Sequence, residues 1–284
     1  MSALAAETYD LPTLLDAWES VLHAVSELAK RLDDDGWNAP TECPGWSVGD
    51  VVRHLSWIEA KLAGRPEAEH EIDWSAYPHV ASDLSRMTET GVDVRRRLSQ
   101  AEVCQELDGL IDVRLSQILM LDPLSLETEV MGVFGRPTAL ERLLRIRCFD
   151  SWTHLQDIRR AVGLPGDLAI PAAQASAQQM ASSTAFVLAR NVDAPVGTTM
   201  RVTVTGPIAF ERWAGIDDDG QGTVIEEVGR PDEPTISIAT DWETYARLGT
   251  GRLDASSPEV LARVTLDGDP VLAARIPAAL AITP

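Results

Sequence analysis

Four stretches in the first 165 residues carry apolar side chains at helical spacing, and this periodicity constrains the fold more than any other feature. The stretches cover residues 11–32, 47–64, 100–121 and 138–162. Each has one apolar face, which an isolated helix would leave exposed to water. Helices of this kind cover one another by packing together, so the sequence predicts a helical bundle in the first half of the chain.

Signals at helix ends support two of these helices. Ser47 and Asp50 form an S-x-x-D capping box, which places the start of the second helix directly after a Pro-Gly-Trp turn. Pro137 suits the first turn of the fourth helix, and Gly163 suits the position just past its last residue. These signals fix the start of the second helix and both ends of the fourth.

Polar connections separate the helices. Residues 64–83 read as a long loop rich in turn-forming residues, and residues 122–137 read as a second loop. Two tryptophans ahead of the second helix, Trp37 and Trp46, either cap the end of the bundle or line a pocket.

The fourth helix carries three residues whose spacing suits metal binding. Asp150, His154 and Asp157 follow one another at intervals of four and three, so their side chains project from one face. A carboxylate and an imidazole one turn apart can hold the same cation when a third ligand comes from elsewhere. His54, beside the apolar stripe of the second helix, is the candidate. The alternatives are a buried histidine with a hydrogen-bond partner and an ordinary surface contact between Asp150 and His154.

Two motifs on these helices resemble those of a known family. The segments PGWSVGDVVRHL and FDSWTHLQDIRRAVG resemble the mycothiol-dependent maleylpyruvate isomerase family, whose members have a DinB-like metal-binding four-helix bundle. The resemblance implies a zinc-type site formed by His54, Asp150 and His154, with Asp157 as a partner of the ligating histidine or as a helix-packing residue. The family's usual glutamate is Asp150 here. Because aspartate is one methylene shorter, it must reach the metal from closer by, at another angle or through water.

The charge balance narrows the range of partners. The chain has 24 Lys and Arg residues against 44 Asp and Glu residues, a formal net charge of −20, which repels nucleic acid and anionic lipid. No apolar run approaches the ~18 residues of a membrane span, and the N-terminal stretch MSALAAETYDLPTLL lacks a basic leader segment. Three widely spaced cysteines without a C-x-x-C pair favour a reducing compartment. We therefore expect a cytoplasmic protein that binds neither nucleic acid nor membrane.

The second half of the chain alternates between strand and helix signals, so the predicted fold class is α+β. We place the boundary between the helical bundle, residues 1–165, and a smaller α+β domain, residues 166–284. The elements predicted in the second domain are a helix over 171–192, a β-hairpin over 198–215, strands over 223–228 and 234–240, a helix over 241–252, and a last strand, turn and helix over 264–284.

This half is similar to the small sterol-carrier-like C-terminal domain that accompanies the bundle in the same family. The similarity lies in the TGR segment before the last strand and in GDPVLAARIP at its end. It implies that an arginine of this domain acts in catalysis, and Arg252 of the TGR segment is the matching residue. The alternative is an arginine that caps a helix and pairs with Asp254 or with a backbone carbonyl.

The resemblance also implies a chemistry. It indicates an enzyme that uses a divalent metal, Zn as in the family, and mycothiol as thiol cosubstrate. We expect a monomer or homodimer. Such an isomerase or S-transferase adds a metal-bound thiolate to a small electrophilic substrate, and Arg252 offsets substrate carboxylate charge. Because Asp150 replaces the family's glutamate, a second hypothesis is a non-catalytic protein that binds a metal or small ligand at a degenerate site. Hydrolysis by metal-activated water, with Asp157 as base, is a third alternative.

Overall fold

The computed structural model describes residues 9–66 and 69–283, which form two compact units divided between Ser176 and Ala177. The first unit is helical apart from one small hairpin, and the second combines helices with a sheet. The predicted α+β class is therefore confirmed. Residues 1–8, part of the stretch assessed for a leader, residues 67–68 of the first predicted loop and residue 284 lie outside the described ranges.

The first unit is built on four long helices, all of them predicted. The helices of this unit are α1 Leu11–Ala29, α2 Asp34–Trp37, α3 Val48–Leu62, α4 Asp83–Arg95, α5 Gln100–Leu119 and α6 Leu140–Ala161. Helix α1 packs against α5 and α6, and α3 packs against α4, α5 and α6. Their apolar faces make the core, which includes Trp18, Leu22, Leu55, Ile111 and Leu155, each at most 1% exposed.

The predicted ends of α3 and α6 agree with the structure at two positions. The Ser47 hydroxyl accepts a hydrogen bond from Asp50 N, and the Asp50 carboxylate accepts one from Ser47 N, both at 3.2 Å. Helix α6 ends at Ala161, and Gly163 has a φ of +67°, a conformation that favours glycine. The capping box and the terminal glycine are therefore confirmed.

The start of α6 was predicted wrongly. Strands β1 (Glu129–Met131) and β2 (Pro137–Ala139) pair as an antiparallel hairpin in the region read as a loop, so α6 begins at Leu140. Pro137 pairs with Met131 in this hairpin and is not in the first helical turn. A two-stranded hairpin has only edge strands, where proline's missing N–H is tolerated.

Helix α4 and the short α2 were missed by the sequence analysis. Helix α4 buries only Glu89, Gly91 and Val92, so it lacks the apolar stripe by which helices are recognised in a sequence. It packs closely against α3, because Gly91 lies against the indole ring of Trp57.

We expect Gly91→Ala to destabilise the protein. A methyl group at this position would lie 2.3 Å from Trp57 Cγ, and relieving that overlap in a packed interface costs about 1–3 kcal/mol. Gly109→Ala on α5 is the matched control, since nothing lies within 4 Å of its added methyl and alanine favours a helix by about 1 kcal/mol. Urea unfolding should show opposite signs for the two variants, and equal effects would contradict this packing.

The second unit contains a five-stranded sheet. Its strands are β3 Thr199–Thr205, β4 Phe210–Ile216, β5 Gly222–Val224, β6 Ile236–Asp241 and β7 Thr265–Gly268. They lie in the order β5-β4-β3-β6-β7, and β3 is antiparallel to β4 and parallel to β6. The β3–β4 hairpin was predicted.

The predicted helix over 171–192 is broken. Helix α7 (Pro171–Ser182), which begins in the first unit, is followed by α8 (Thr184–Phe186) and a π-helical turn (Val187–Asn191).

Short helices complete the second unit. Helix α9 (Trp242–Gly249) follows β6 directly, and its N-terminus is capped by the Asp241 carboxylate, which accepts a hydrogen bond from Thr244 N. In the chain, β7 is preceded by helix α10 (Pro258–Leu261) and followed by helices α11 (Pro270–Ala273) and α12 (Ile276–Ala279). The predicted strand over 223–228 is shorter in the structure, because Glu227–Gly229 forms a 3-10 turn. In the described ranges no helix is both long and apolar enough to cross a bilayer.

Candidate metal centre

Helices α3 and α6 bring the three predicted ligands together. His54 lies two turns into α3, and Asp150 and His154 lie one turn apart in the middle of α6. The nearest oxygen of Asp150, Oδ1, is 3.6 Å from His54 Nε2 and 3.7 Å from His154 Nε2. One ligand atom from each residue lies within 4.8 Å of the others.

These separations suit atoms that share a cation. They are longer than ordinary hydrogen bonds between nitrogen and oxygen. Two ligand atoms bonded at about 2.0–2.2 Å to one tetrahedral ion lie roughly 3.3–3.6 Å apart. Two imidazole nitrogens and one carboxylate oxygen are also a common zinc ligand set. The arrangement therefore fits a divalent cation with a fourth coordination position left for another ligand.

His54 gives independent support for this fit. It is 5% exposed, and neither ring nitrogen has a hydrogen-bond partner among the described residues. A buried polar group without a partner costs about 1–3 kcal/mol, which a cation at Nε2 would offset. Burial also lowers the pKa of His54, despite the opposing effect of Asp150, so the imidazole is neutral and keeps the lone pair that a metal ligand needs.

Asp150 is ionised and forms the exposed side of the cluster. Burial alone would raise the pKa of its carboxyl, but the Arg147 guanidinium holds that pKa well below the usual range. Its side chain is 27% exposed, whereas the side chains of His54 and His154 are 6% and 8% exposed. Of the three side chains, Asp150 is therefore the one most exposed to solvent.

Asp157 fixes the second histidine. Its Oδ2 lies 3.1 Å from His154 Nδ1 and accepts a hydrogen bond from Cys43 Sγ at 3.2 Å, while its Oδ1 accepts one from Arg160 at 2.8 Å. A carboxylate at Nδ1 turns the Nε2 of a ligating histidine toward the metal position. Because both Asp157 oxygens are engaged on the Nδ1 side, this residue is not placed to act as a base on water at the cation.

Cys43 is the contact that the sequence analysis missed. Its separation in sequence, 111 residues from His154 and 114 residues from Asp157, gave no signal of a contact with α6. Together with His154 and Asp157 it forms a second close group of metal-binding side chains.

The family model for the mycothiol maleylpyruvate isomerase N-terminal domain matches residues 18–159, half of the chain. The chain belongs to this family. The matched range contains α3 and all three clustered residues, so the family domain and the candidate metal centre coincide.

Two solved structures have the same fold as this chain over nearly the whole length of the chain. A histidine-to-alanine mutant of mycothiol-dependent maleylpyruvate isomerase is similar with a TM-score of 0.56 and 12% identity, covering 94% of this chain and 96% of the other. A second structure of mycothiol-dependent maleylpyruvate isomerase has a TM-score of 0.53 and 13% identity, covering 89% and 93%. Among curated proteins no match was found.

Aromatic rings border the cluster of this family member. The Trp46 ring centroid lies 5.0 Å from that of His54 and 6.2 Å from that of His154, and the Trp57 centroid lies 6.0 Å from His54. Trp46 Nε1 donates a 2.7 Å hydrogen bond to buried Glu89 of α4, which holds the indole in place. Trp46 therefore borders the candidate metal centre, and its two predicted roles, capping the bundle or lining a pocket, stay predictions. Trp37 packs instead against the Arg53 guanidinium.

Arg252, the predicted catalytic residue of the second unit, follows α9. Its guanidinium donates a 2.6 Å hydrogen bond to the Thr250 carbonyl, and its backbone N–H donates to the Arg247 carbonyl. This local contact agrees with the helix-end role considered from the sequence. Its catalytic role stays a prediction.

Cation binding at this centre should depend on pH. Burial alone would lower the pKa of His154, but its contacts with Asp157 and Cys43 raise it to about 10, so the free site is protonated at neutral pH. A cation must displace this proton, and we expect its affinity to rise about tenfold per pH unit from pH 6 to 8. The His54 pKa is lowered, so His54 adds no second proton to this slope.

A zinc competition titration at several pH values measures the slope. A His70→Ala variant, which changes a histidine remote from the three ligands, should retain it. An affinity that is constant between pH 6 and 8 would show that His154 is not protonated in the free site.

Proposed function

We propose that this protein is a metal-dependent, mycothiol-dependent isomerase or S-transferase that acts on a small electrophilic substrate. The observation that carries the proposal is the cluster of His54, Asp150 and His154 in a chain of the mycothiol maleylpyruvate isomerase family. The names of the similar solved structures support mycothiol as the thiol and maleylpyruvate as the first substrate to test.

The residues of the first unit supply the binding site. His54, Asp150 and His154 would hold the cation, and Asp157 orients His154 for that role. When bound, a divalent cation, zinc by the choice of donors, supplies the positive charge that keeps a thiol deprotonated. Trp46 limits the access of water to the histidines, and the exposed side of Asp150 leaves a path for the thiol and the substrate.

The thiol chemistry follows from the class of substrate. With a conjugated cis diacid, the thiolate forms a C–S bond, and the electron pair of the C=C bond moves onto the adjacent carbonyl. The resulting single bond rotates; the electron pair then returns, the C–S bond breaks, and the trans isomer and the thiolate are released. With a substrate that bears a leaving group, that group departs instead and the C–S bond remains. We assign to Arg252 the neutralisation of substrate carboxylate charge.

An isomerisation assay tests this function. Protein reconstituted with zinc should convert maleylpyruvate to its trans isomer when mycothiol is present and should not do so when mycothiol is omitted. The three cysteines are buried and none of them forms a disulfide, as suits a protein that works beside a reduced thiol in the cytoplasm. If zinc binds but neither isomerisation nor S-transfer to a panel of electrophiles occurs, a binding protein with a degenerate site is the better description.

A further inference from the structure

A buried ion network links the candidate ligand Asp150 to the neighbouring helix. Arg147, 2% exposed, lies one turn before Asp150 on α6. Its Nη1 donates a 2.7 Å hydrogen bond to Asp150 Oδ2, and its Nε donates a 2.9 Å hydrogen bond to Oε1 of Glu59 on α3. Glu59 is fully buried and also accepts a hydrogen bond from Trp18. One guanidinium therefore holds two carboxylates at the same time.

In this network the two carboxylate oxygens of Asp150 have different neighbours. Oδ2 is held by Arg147, while Oδ1 lies 3.6–3.7 Å from the two imidazole nitrogens. The χ2 torsion of an aspartate is broad and nearly two-fold, so an unsupported carboxylate could present either oxygen or both. Arg147 removes that freedom because its own position is fixed by Glu59.

We propose that Arg147 is a positioning residue that makes Asp150 a single-oxygen ligand through Oδ1, with Glu59 as its anchor. The inference rests on the proposed function, since it requires that the cluster binds a cation. It explains how an aspartate serves at this position: the guanidinium fixes both its rotamer and its charge. It also places a buried arginine beside a cation site without leaving its charge uncompensated, because Arg147 contacts the carboxylates of both Glu59, which it shares with Arg114, and Asp150.

Arg147→Lys is the variant that tests the proposal. Lysine keeps the positive charge between Glu59 and Asp150, but its single ammonium lacks the planar fork that holds both carboxylates. We expect Co²⁺ and Zn²⁺ to bind about 10- to 100-fold more weakly, as on loss of other groups that orient metal ligands. The visible absorption bands of bound Co²⁺ should also shift, because the carboxylate no longer presents one fixed oxygen.

Arg145→Lys is the matched control. Arg145 lies on the same helix and pairs with Glu141 at 3.5 Å, without a contact to Asp150. Its replacement should leave both the Co²⁺ affinity and the spectrum unchanged. If Arg147 only stabilised the fold, Arg147→Lys would have a lower free energy of unfolding. The folded fraction of that variant would then have the dissociation constant and the Co²⁺ spectrum of the native protein.

The outcomes separate this inference from the proposed function. If the native protein binds neither Co²⁺ nor Zn²⁺, the proposed function fails. If the native protein binds and Arg147→Lys gives the same affinity and spectrum, the positioning role is wrong. Should Arg147→Lys fail to fold, the double variant Glu59→Gln/Arg147→Gln removes both charges of this pair together. In that variant Arg114, whose Nε lies 3.8 Å from Glu59 Oε2, and Asp150 each face a neutral amide. Native affinity and spectrum in the double variant would equally overturn the inference, and weakened binding with a shifted spectrum would support it.

Discussion

A His54→Ala variant is expected to lose its divalent metal while remaining folded. Removal of one of the three protein ligands leaves the cation with Asp150 and His154 alone, both from α6. Since loss of a group that only orients a ligand weakens binding by about 10- to 100-fold, loss of a ligand itself should weaken it by more than about 100-fold. No hydrogen bond of His54 is broken, because its ring nitrogens have no partner among the described residues.

His70→Ala is the control for this experiment. It removes an imidazole from the same unit, but His70 is exposed and contacts Asp93 at 2.6 Å, away from the three ligands. Elemental analysis after zinc reconstitution should give about one equivalent of metal for the native protein and for His70→Ala, and almost none for His54→Ala. Stoichiometric zinc in His54→Ala would show that other residues hold the metal.

Glu59→Ala should cause the largest loss of stability among the single substitutions considered. Glu59 is fully buried and accepts hydrogen bonds from Arg147 at 2.9 Å and Trp18 at 3.3 Å. Its removal leaves Arg147, itself 2% exposed, with less compensation for its charge. Breaking one side of a buried ion pair in this way costs about 3–5 kcal/mol.

Unfolding in urea without added metal measures this effect directly. Glu27→Ala is a suitable control, because Glu27 pairs with Lys30 at 2.9 Å but its side chain is 55% exposed. Exposed pairs of this kind contribute little to stability. Equal, small changes in the two variants would mean that the Glu59–Arg147 pair is not essential to the stability of the bundle.

The sequence contained enough information to predict the helices that carry the candidate ligands. Apolar periodicity predicts α3 and α6, and the one-turn spacing of Asp150 and His154 predicts that they share a face. That His54 would lie beside them could be expected only through the resemblance to a family, because periodicity does not say which helices are neighbours.

The network behind the ligands could not be predicted in the same way. Glu59 and Arg147 are 88 residues apart in the sequence, and buried charges interrupt the apolar pattern from which helix faces are predicted. Cys43 was missed for the same reason, since its contact with Asp157 spans 114 residues. Helix α4 escaped detection because it buries a glutamate and a glycine where an apolar stripe would be expected. Contacts between distant polar residues require the fold itself.

The Glu59–Arg147–Asp150 chain also has a consequence for how the site is assembled. It joins α3 to α6, the two helices that carry the ligands, through hydrogen bonds that require no ion. The geometry of the site is thus preorganised by the protein, and little rearrangement is needed when an ion enters. An ion that does not hold the helices together can be removed and replaced without unfolding them. We therefore expect zinc, cobalt and cadmium to exchange at this centre within an intact bundle.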